Sequence, residues 1–135
     1  MTRVCFYLTL LVLVGCQSQR ASLAISYHFR HDAVVDLASI VPGDWDRVCF
    51  LGPYSTDEDA ELLLGHSWSL KSNSSVGESD GISLLLFVRG DDVILAIDHP
   101  RNKGDFSQLD DQCFARSQAR FKRVPDGGNG LLAAP

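Results

Sequence analysis

The amino-acid sequence predicts a small α+β domain, in which a mainly antiparallel sheet of four or five strands packs against two short helices. Two observations lead to this prediction. Residues 82–89 and 92–98 are apolar runs joined by residues 90–91 (Gly-Asp), a two-residue loop typical of a β-hairpin. Residues 55–58 (Ser-Thr-Asp-Glu) fit the capping box that begins many helices.

Further strands are predicted from the apolar pattern. The hairpin strands do not alternate cleanly between apolar and polar residues, and residues 47–51 have the same character, so these three should be buried on both faces. Residues 23–29 do alternate, which predicts another strand. Residues 113–123 alternate as well and favour an edge strand guarded by Arg and Lys, although their Ala, Gln and Arg content leaves a helix open.

Two short helices are predicted between these strands. Asp32 is placed to cap a helix over residues 33–40, which Pro42 then ends. The second helix follows the capping box and ends at Gly65, where glycine supplies a left-handed stop. Three apolar side chains of this helix should face the core: Ala60, Leu63 and Leu64.

The N-terminus has the pattern of a signal peptide. Arg3 is followed by an apolar run over residues 4–14. This run is shorter than the roughly 20 residues that a helix needs to cross a bilayer core. The tetrapeptide Leu13-Val14-Gly15-Cys16 resembles the lipobox of bacterial lipoproteins. The resemblance implies cleavage before Cys16, a diacylglycerol thioether on its sulfur and acylation of the new amino group. An ordinary secretory signal with a chance cysteine is the alternative.

Lipid on Cys16 would hold the protein on a membrane without a spanning helix, because two or more acyl chains such as palmitate give stable attachment. Gln17 follows the cysteine. In the lipoproteins that this segment resembles, aspartate at that position retains the protein at the inner membrane. The resemblance therefore implies the outer membrane, with the domain facing the periplasm.

The predicted organisation has four parts. Residues 1–15 form the lipoprotein signal peptide, residues 16–22 a lipidated tether, residues 23–124 one α+β domain and residues 125–135 a flexible tail. About 120 residues remain after cleavage, which is the length of a single domain.

The charge of the chain excludes one class of function. The formal net charge is −5, and loss of Arg3 with the signal peptide would make it −6. An acidic domain repels phosphate at long range, so we expect no nucleic-acid partner.

Two cysteines are left for the mature domain. Cys5 would leave with the signal peptide and Cys16 would carry lipid, so that Cys49 and Cys113 remain. In the oxidising compartment that the lipobox implies, this pair is most simply a disulfide. The alternatives are a metal pair or a catalytic thiol, but the spacing fits no zinc site.

A second resemblance lies in the mature domain. The segment Trp-Asp-Arg-Val-Cys-Phe-Leu-Gly-Pro-Tyr, residues 45–54, is similar to a signature of small exported proteins and lipoproteins of Gram-negative bacteria. Gly-Asp-Phe at residues 104–106 and Cys-Phe at 113–114 form a second similar patch. That group carries no assigned activity, so the resemblance implies the domain and its cysteine pair and supplies no catalytic residue.

Five residues are candidates for a binding surface. Trp45 and Tyr54 flank a predicted buried strand and could anchor a partner, or they could cover the edge of the sheet. His99, Arg101 and Lys103 share a polar loop that could bind anions, or that could be a solvated face.

We expect no metal, no cofactor and no catalytic residue. His28 and His31, with Asp32 beside them, straddle the predicted junction between a strand and a helix and lack a third ligand nearby. Asp98 and His99 could be a carboxylate and a base, but neighbours in a strand point to opposite faces, and no nucleophile elbow is present.

Three functions remain as hypotheses. The first is a non-enzymatic, membrane-anchored binding or accessory module of the cell envelope, with a protein or glycan partner. The second is an inhibitor or immunity-type protein against a periplasmic hydrolase or toxin. The third is a small hydrolase, which requires His66 or His99 within hydrogen-bond reach of a serine and an aspartate.

Overall fold

The protein is described by a computed structural model, which covers the backbone of residues 2–135 and the side chains of residues 17–135. This part of the chain has an α+β fold with two antiparallel sheets, which confirms the predicted fold class. The side chain of Cys16 lies outside the described residues.

Helices and strands are interspersed along the described chain. They are α1 (Thr2–His31), β1 (Val34–Asp36), α2 (Leu37–Ile40), β2 (Arg47–Leu51), α3 (Asp57–Leu64), α4 (Leu70–Asn73), β3 (Ile82–Arg89), β4 (Asp92–Pro100), β5 (Gln112–Ala115), β6 (Arg120–Arg123) and β7 (Leu131–Ala133).

The larger sheet has the strand order β4-β3-β2-β5. The predicted hairpin of β3 and β4 is confirmed, and Gly90 in its turn has a φ of +59°, a left-handed conformation that favours glycine. Strand β3 is buried along almost its whole length, as its apolar run predicts. Strand β4 lies at the edge and is partly exposed, contrary to the prediction that it is buried on both faces.

Both faces of the larger sheet carry an apolar core. On one face, Phe50 and Phe87 pack with the buried side of α1 and with aromatic residues of the C-terminal half, including Phe106 and Phe121. On the other face, strand residues such as Leu86 pack against α3 and α4. Helices α1 and α3 therefore lie on opposite sides of the sheet.

The segment before β1 differs from the prediction. Residues 23–29 are helical and belong to α1, because Ala21, Ile25 and Phe29 recur every four residues and face the core together. Residues 17–22, predicted as a tether, belong to the same helix.

Two helix starts were also placed wrongly. The helix predicted over residues 33–40 is limited to α2, because residues 34–36 pair with β6 as strand β1, and Asp36 caps α2 in place of Asp32. The capping box of α3 lies one residue later than predicted and joins Thr56 to Asp59. Gly65 ends this helix in the left-handed conformation, as predicted.

The C-terminal region completes a second sheet of order β1-β6-β7. Residues 113–123 contain strands β5 and β6 separated by the 3-10 turn Arg116–Gln118, so the predicted single strand is divided between the two sheets. The predicted flexible tail, residues 125–135, includes β7, whose Leu131 is fully buried.

The predicted disulfide between Cys49 and Cys113 is present. The two residues are opposite each other in the antiparallel pairing of β2 and β5, with their Cα atoms 4.0 Å apart. The bond joins the buried strand β2 to an edge strand across a sequence separation of 64 residues.

We predict that replacing both cysteines (Cys49→Ala with Cys113→Ala) lowers the free energy of unfolding by about 2–4 kcal/mol, because the unfolded chain is no longer constrained by the loop. Urea unfolding of the oxidised wild type and the double variant measures this difference. Reductant should destabilise the wild type and leave the variant unchanged. Equal unfolding midpoints for all samples would contradict the prediction.

Candidate functional site

The residues predicted to form one binding surface do not lie together on the surface. Trp45 is only 2% exposed, and its indole Nε1 donates to the carbonyl of Val41 at 2.9 Å. The guanidinium of Arg116 covers its ring at 4.5 Å. His99 is fully buried as well. The prediction was wrong for these two residues, because their polar atoms form hydrogen bonds inside the domain.

The other predicted surface residues differ from one another in exposure. Arg101 is held by Asp105 through two hydrogen bonds of 3.0 and 3.1 Å. Because Asp105 pairs with the Arg101 guanidinium, this loop has less positive charge available for the anion that it was predicted to bind. Lys103 and Tyr54 remain exposed.

Tyr54 has a backbone conformation that is uncommon for a residue other than glycine. Its φ is +62°, which a residue with a Cβ seldom adopts, and its amide donates to the carbonyl of Val76 at 2.8 Å. The side chain is 62% exposed. The backbone is thus fixed in an unfavourable conformation while the aromatic ring is presented to solvent.

A polar cleft begins at the residue after Tyr54. It has a volume of about 710 Å³, which is the size of a small-ligand site. Its walls come from the start of α3 and from the segment that contains α4. The lining residues are Ser55, Thr56, Asp57, Glu58, Leu70, Lys71, Ser74, Ser75, Gly77 and Glu78.

Hydrogen bonds to carboxylates fix both walls of the cleft. The amide of Lys71 donates to Asp57 at 3.1 Å, which ties α4 to the start of α3. Ser74 and Ser75 donate to the two carboxylate oxygens of Asp98 at 2.5 and 3.0 Å. The cleft is therefore a pre-formed surface with hydroxyl and carboxylate groups, which suits a polyhydroxylated or cationic ligand.

A second cluster of interest surrounds Asp110. Burial and the nearby charges of Asp111 and Asp105 raise the pKa of Asp110 to about 6. Its Oδ1 is buried and has no hydrogen-bond partner among the described residues. The carboxylate packs directly over Gly52, where an added Cβ would come within 1.9 Å of Oδ2. This contact leaves no room for a side chain at position 52.

The buried His99 is joined to α1. Its Nε2 is 3.0 Å from the carbonyl oxygen of Lys103, which can only accept, so Nε2 carries the proton. Its Nδ1 is then the acceptor for the hydroxyl of Ser22 at 2.9 Å. Burial lowers the pKa of His99 below its ordinary value of 6.5, with the Lys103 hydrogen bond opposing part of that shift. The imidazole is therefore neutral at pH 7.

This serine–histidine pair has the geometry of a nucleophile and a base but the surroundings of a structural contact. The second nitrogen of His99 is oriented by a backbone carbonyl, where the hydrolase hypothesis required an aspartate. Asp98 is engaged by two serines. One helical turn earlier, Ser18 donates in the same way to the carbonyl of Ala96 at 3.1 Å. Ser18 and Ser22 thus form a seam that attaches α1 to β4.

The other histidines are also placed away from any triad. His66 is half-buried; its Nδ1 lies 3.2 Å from the carbonyl oxygen of Ser67, and its Nε2 is buried without a hydrogen-bond partner among the described residues. His28 bonds Asp32 at 2.5 Å on the exposed side of α1. Within the described residues, no group of three or more His, Cys, Asp or Glu side chains is arranged to hold a metal ion.

Among the described helices, none combines the length and the apolar character needed to cross a membrane. Comparison with protein-family models, with curated proteins and with solved structures found no match to this chain. The similarity of residues 13–16 to a lipobox and that of residues 45–54 to a signature of small exported proteins therefore stay predictions.

We predict that stability depends on pH through His99. Because its folded pKa lies below 6.5, the unfolded chain takes up a proton first, and the free energy of unfolding should fall as pH drops below about 6.5. Asp110 acts in the opposite direction, since its folded pKa of about 6 favours the folded state as pH falls from 6 towards 3.8.

The difference between the wild type and His99→Gln isolates the histidine. Urea unfolding between pH 5 and 8 should give a smaller loss of stability at low pH in the variant than in the wild type. His66→Gln controls for the removal of a histidine as such. Parallel pH profiles for the wild type and His99→Gln would show that His99 does not titrate in this way.

Proposed function

We propose that this protein is a lipid-anchored module of the bacterial cell envelope that binds a protein or glycan partner without catalysing a reaction. The anchor is inferred from the lipobox-like segment ending at Cys16. The observation that carries the binding function is the strained and exposed Tyr54 at the start of a pre-formed polar cleft. The buried state of His99 and its contact with a carbonyl argue for a structural role and against general-base catalysis.

The anchor and the fold are consistent with each other. Cleavage before Cys16 would leave residues 16–31 of α1, and the part from Ala21 onward supplies buried residues to the core. The disulfide requires an oxidising compartment such as the periplasm. The proposed location is therefore the periplasmic face of a membrane, with the outer membrane favoured by Gln17.

We predict that Cys16→Ser releases the protein from the membrane fraction, because the lipid attachment point is lost. Cys5→Ser is the matched control, since Cys5 leaves with the signal peptide. Intact mass spectrometry should find acyl chains on the wild type and on Cys5→Ser only. A wild-type protein that keeps Met1 or lacks acyl mass would overturn the proposed anchor.

We predict that the partner contacts Tyr54. A photo-crosslinking phenylalanine derivative at position 54 of the anchored protein should give a discrete adduct in cells. The same derivative at Leu62 is the control, because Leu62 is 84% exposed on α3 but does not line the cleft. Equal adducts at both positions, or none at either, would contradict binding at the cleft. An adduct with a hydrolase would identify the function as inhibition.

A further inference from the structure

An apolar groove lies beside α1, from Gln17 onward. It has a volume of about 530 Å³, and its lining residues are Gln17, Arg20, Ala21, Ala24, Ile40, Pro42, Gly43, Ile94 and Leu95. Arg20 is the only charged residue in this lining. Ile94 is 39% exposed, although it is an aliphatic residue on a strand. The groove therefore offers an apolar floor with one cation at its rim.

The groove starts next to the proposed lipid attachment point. Its first lining residue, Gln17, directly follows Cys16. The α1 residues along it are 17, 20, 21 and 24, which share one helical face. They extend about 10 Å along the helix at 1.5 Å per residue.

No flexible linker separates the anchor from the domain. Ser18 is already hydrogen-bonded to β4, and Ala21 is buried. One extended residue spans only about 3.5 Å, so a lipid on Cys16 would hold this end of the domain against the bilayer surface. Interfacial amphipathic helices bury their apolar faces about 5–10 Å into the boundary between headgroups and acyl chains, and an apolar groove held at the surface can enter the same layer.

We propose that this groove is a lipid-contacting site, which takes the acyl chain of a bilayer phospholipid against Ile40, Pro42 and Ile94 and its phosphate at Arg20. The proposal rests on the anchor at Cys16. The neighbouring carboxylate of Asp44 is paired with Arg89 at 3.6 Å, which reduces its repulsion of a phosphate. Membrane contact by this end leaves α3 and the polar cleft, on the other face of the sheet, open to a partner.

The test uses the lipidated protein in phosphatidylcholine vesicles whose acyl chains carry bromine, a contact quencher of tryptophan fluorescence. Ile94→Trp should lose a clear part of its added emission, because position 94 would sit at the acyl boundary. Leu62→Trp, on the opposite side of the sheet, should lose none. Trp45 and Trp68 contribute equally to both variants and are subtracted with the wild type. Pro42→Trp repeats the measurement from a loop position if Ile94→Trp folds poorly.

The two proposals fail in distinguishable ways. Acylated, vesicle-bound protein in which neither Ile94→Trp nor Pro42→Trp is quenched overturns the lipid-contacting groove and leaves the anchor standing. Protein without acyl mass overturns the anchor and the groove together. Equal quenching of Leu62→Trp would show that the domain has no fixed orientation, which also overturns the groove.

Discussion

The fold depends on a sheet that is apolar on both faces. Strands β2 and β3 are buried almost throughout, so each face of the sheet needs its own cover. Helix α1 and the small sheet supply one cover, and α3 with α4 supplies the other. Because the two covers come from different parts of the chain, they position different surfaces: the seam with Ser22 on one side and the polar cleft on the other.

The elements that sequence could predict are those with a single periodicity or a specific local signal. The β3–β4 hairpin, strand β2 and the Gly65 helix stop have such signals. The segment at residues 23–29 does not, because Ile25 and Phe29 satisfy both a spacing of two and a spacing of four. The packing of Ile25 and Phe29 into the core favours the helix. Strand β7 was missed because three residues after a glycine-rich stretch carry too little pattern.

The candidate site could be predicted only in part. Tyr54 was selected because it flanks a predicted buried strand, with a partner surface or the edge of the sheet as its alternatives, and its ring is exposed. His99 was assigned to a surface because the residues after it are polar, yet the chain turns just beyond it and buries the ring against Phe106, 5.7 Å away. The unpaired oxygen of Asp110 and the cleft walls depend on contacts between distant segments, which no local pattern reports.

Residues 45–54 serve mainly to build the scaffold. The carboxylate of Asp46 accepts from the amide of Gly90 at 2.7 Å and so fixes the hairpin turn. Gly52 leaves room for Asp110, and Cys49 forms the disulfide. Only Tyr54 presents a large side chain to solvent.

The disulfide also makes the stability of the domain depend on whether its two cysteines have been oxidised. A thiol pair stays reduced in the cytosol, where the protein is made. Until oxidation, the domain lacks the roughly 2–4 kcal/mol that the disulfide contributes by restricting the unfolded chain, a large share of the 5–15 kcal/mol that stabilises a typical domain. In the export proposed above, the reduced chain would be the less stable form and so the one that is easier to keep unfolded for translocation. The covalent bond between β2 and β5 would then form only after export, so that the domain would reach its full stability in the compartment proposed for it.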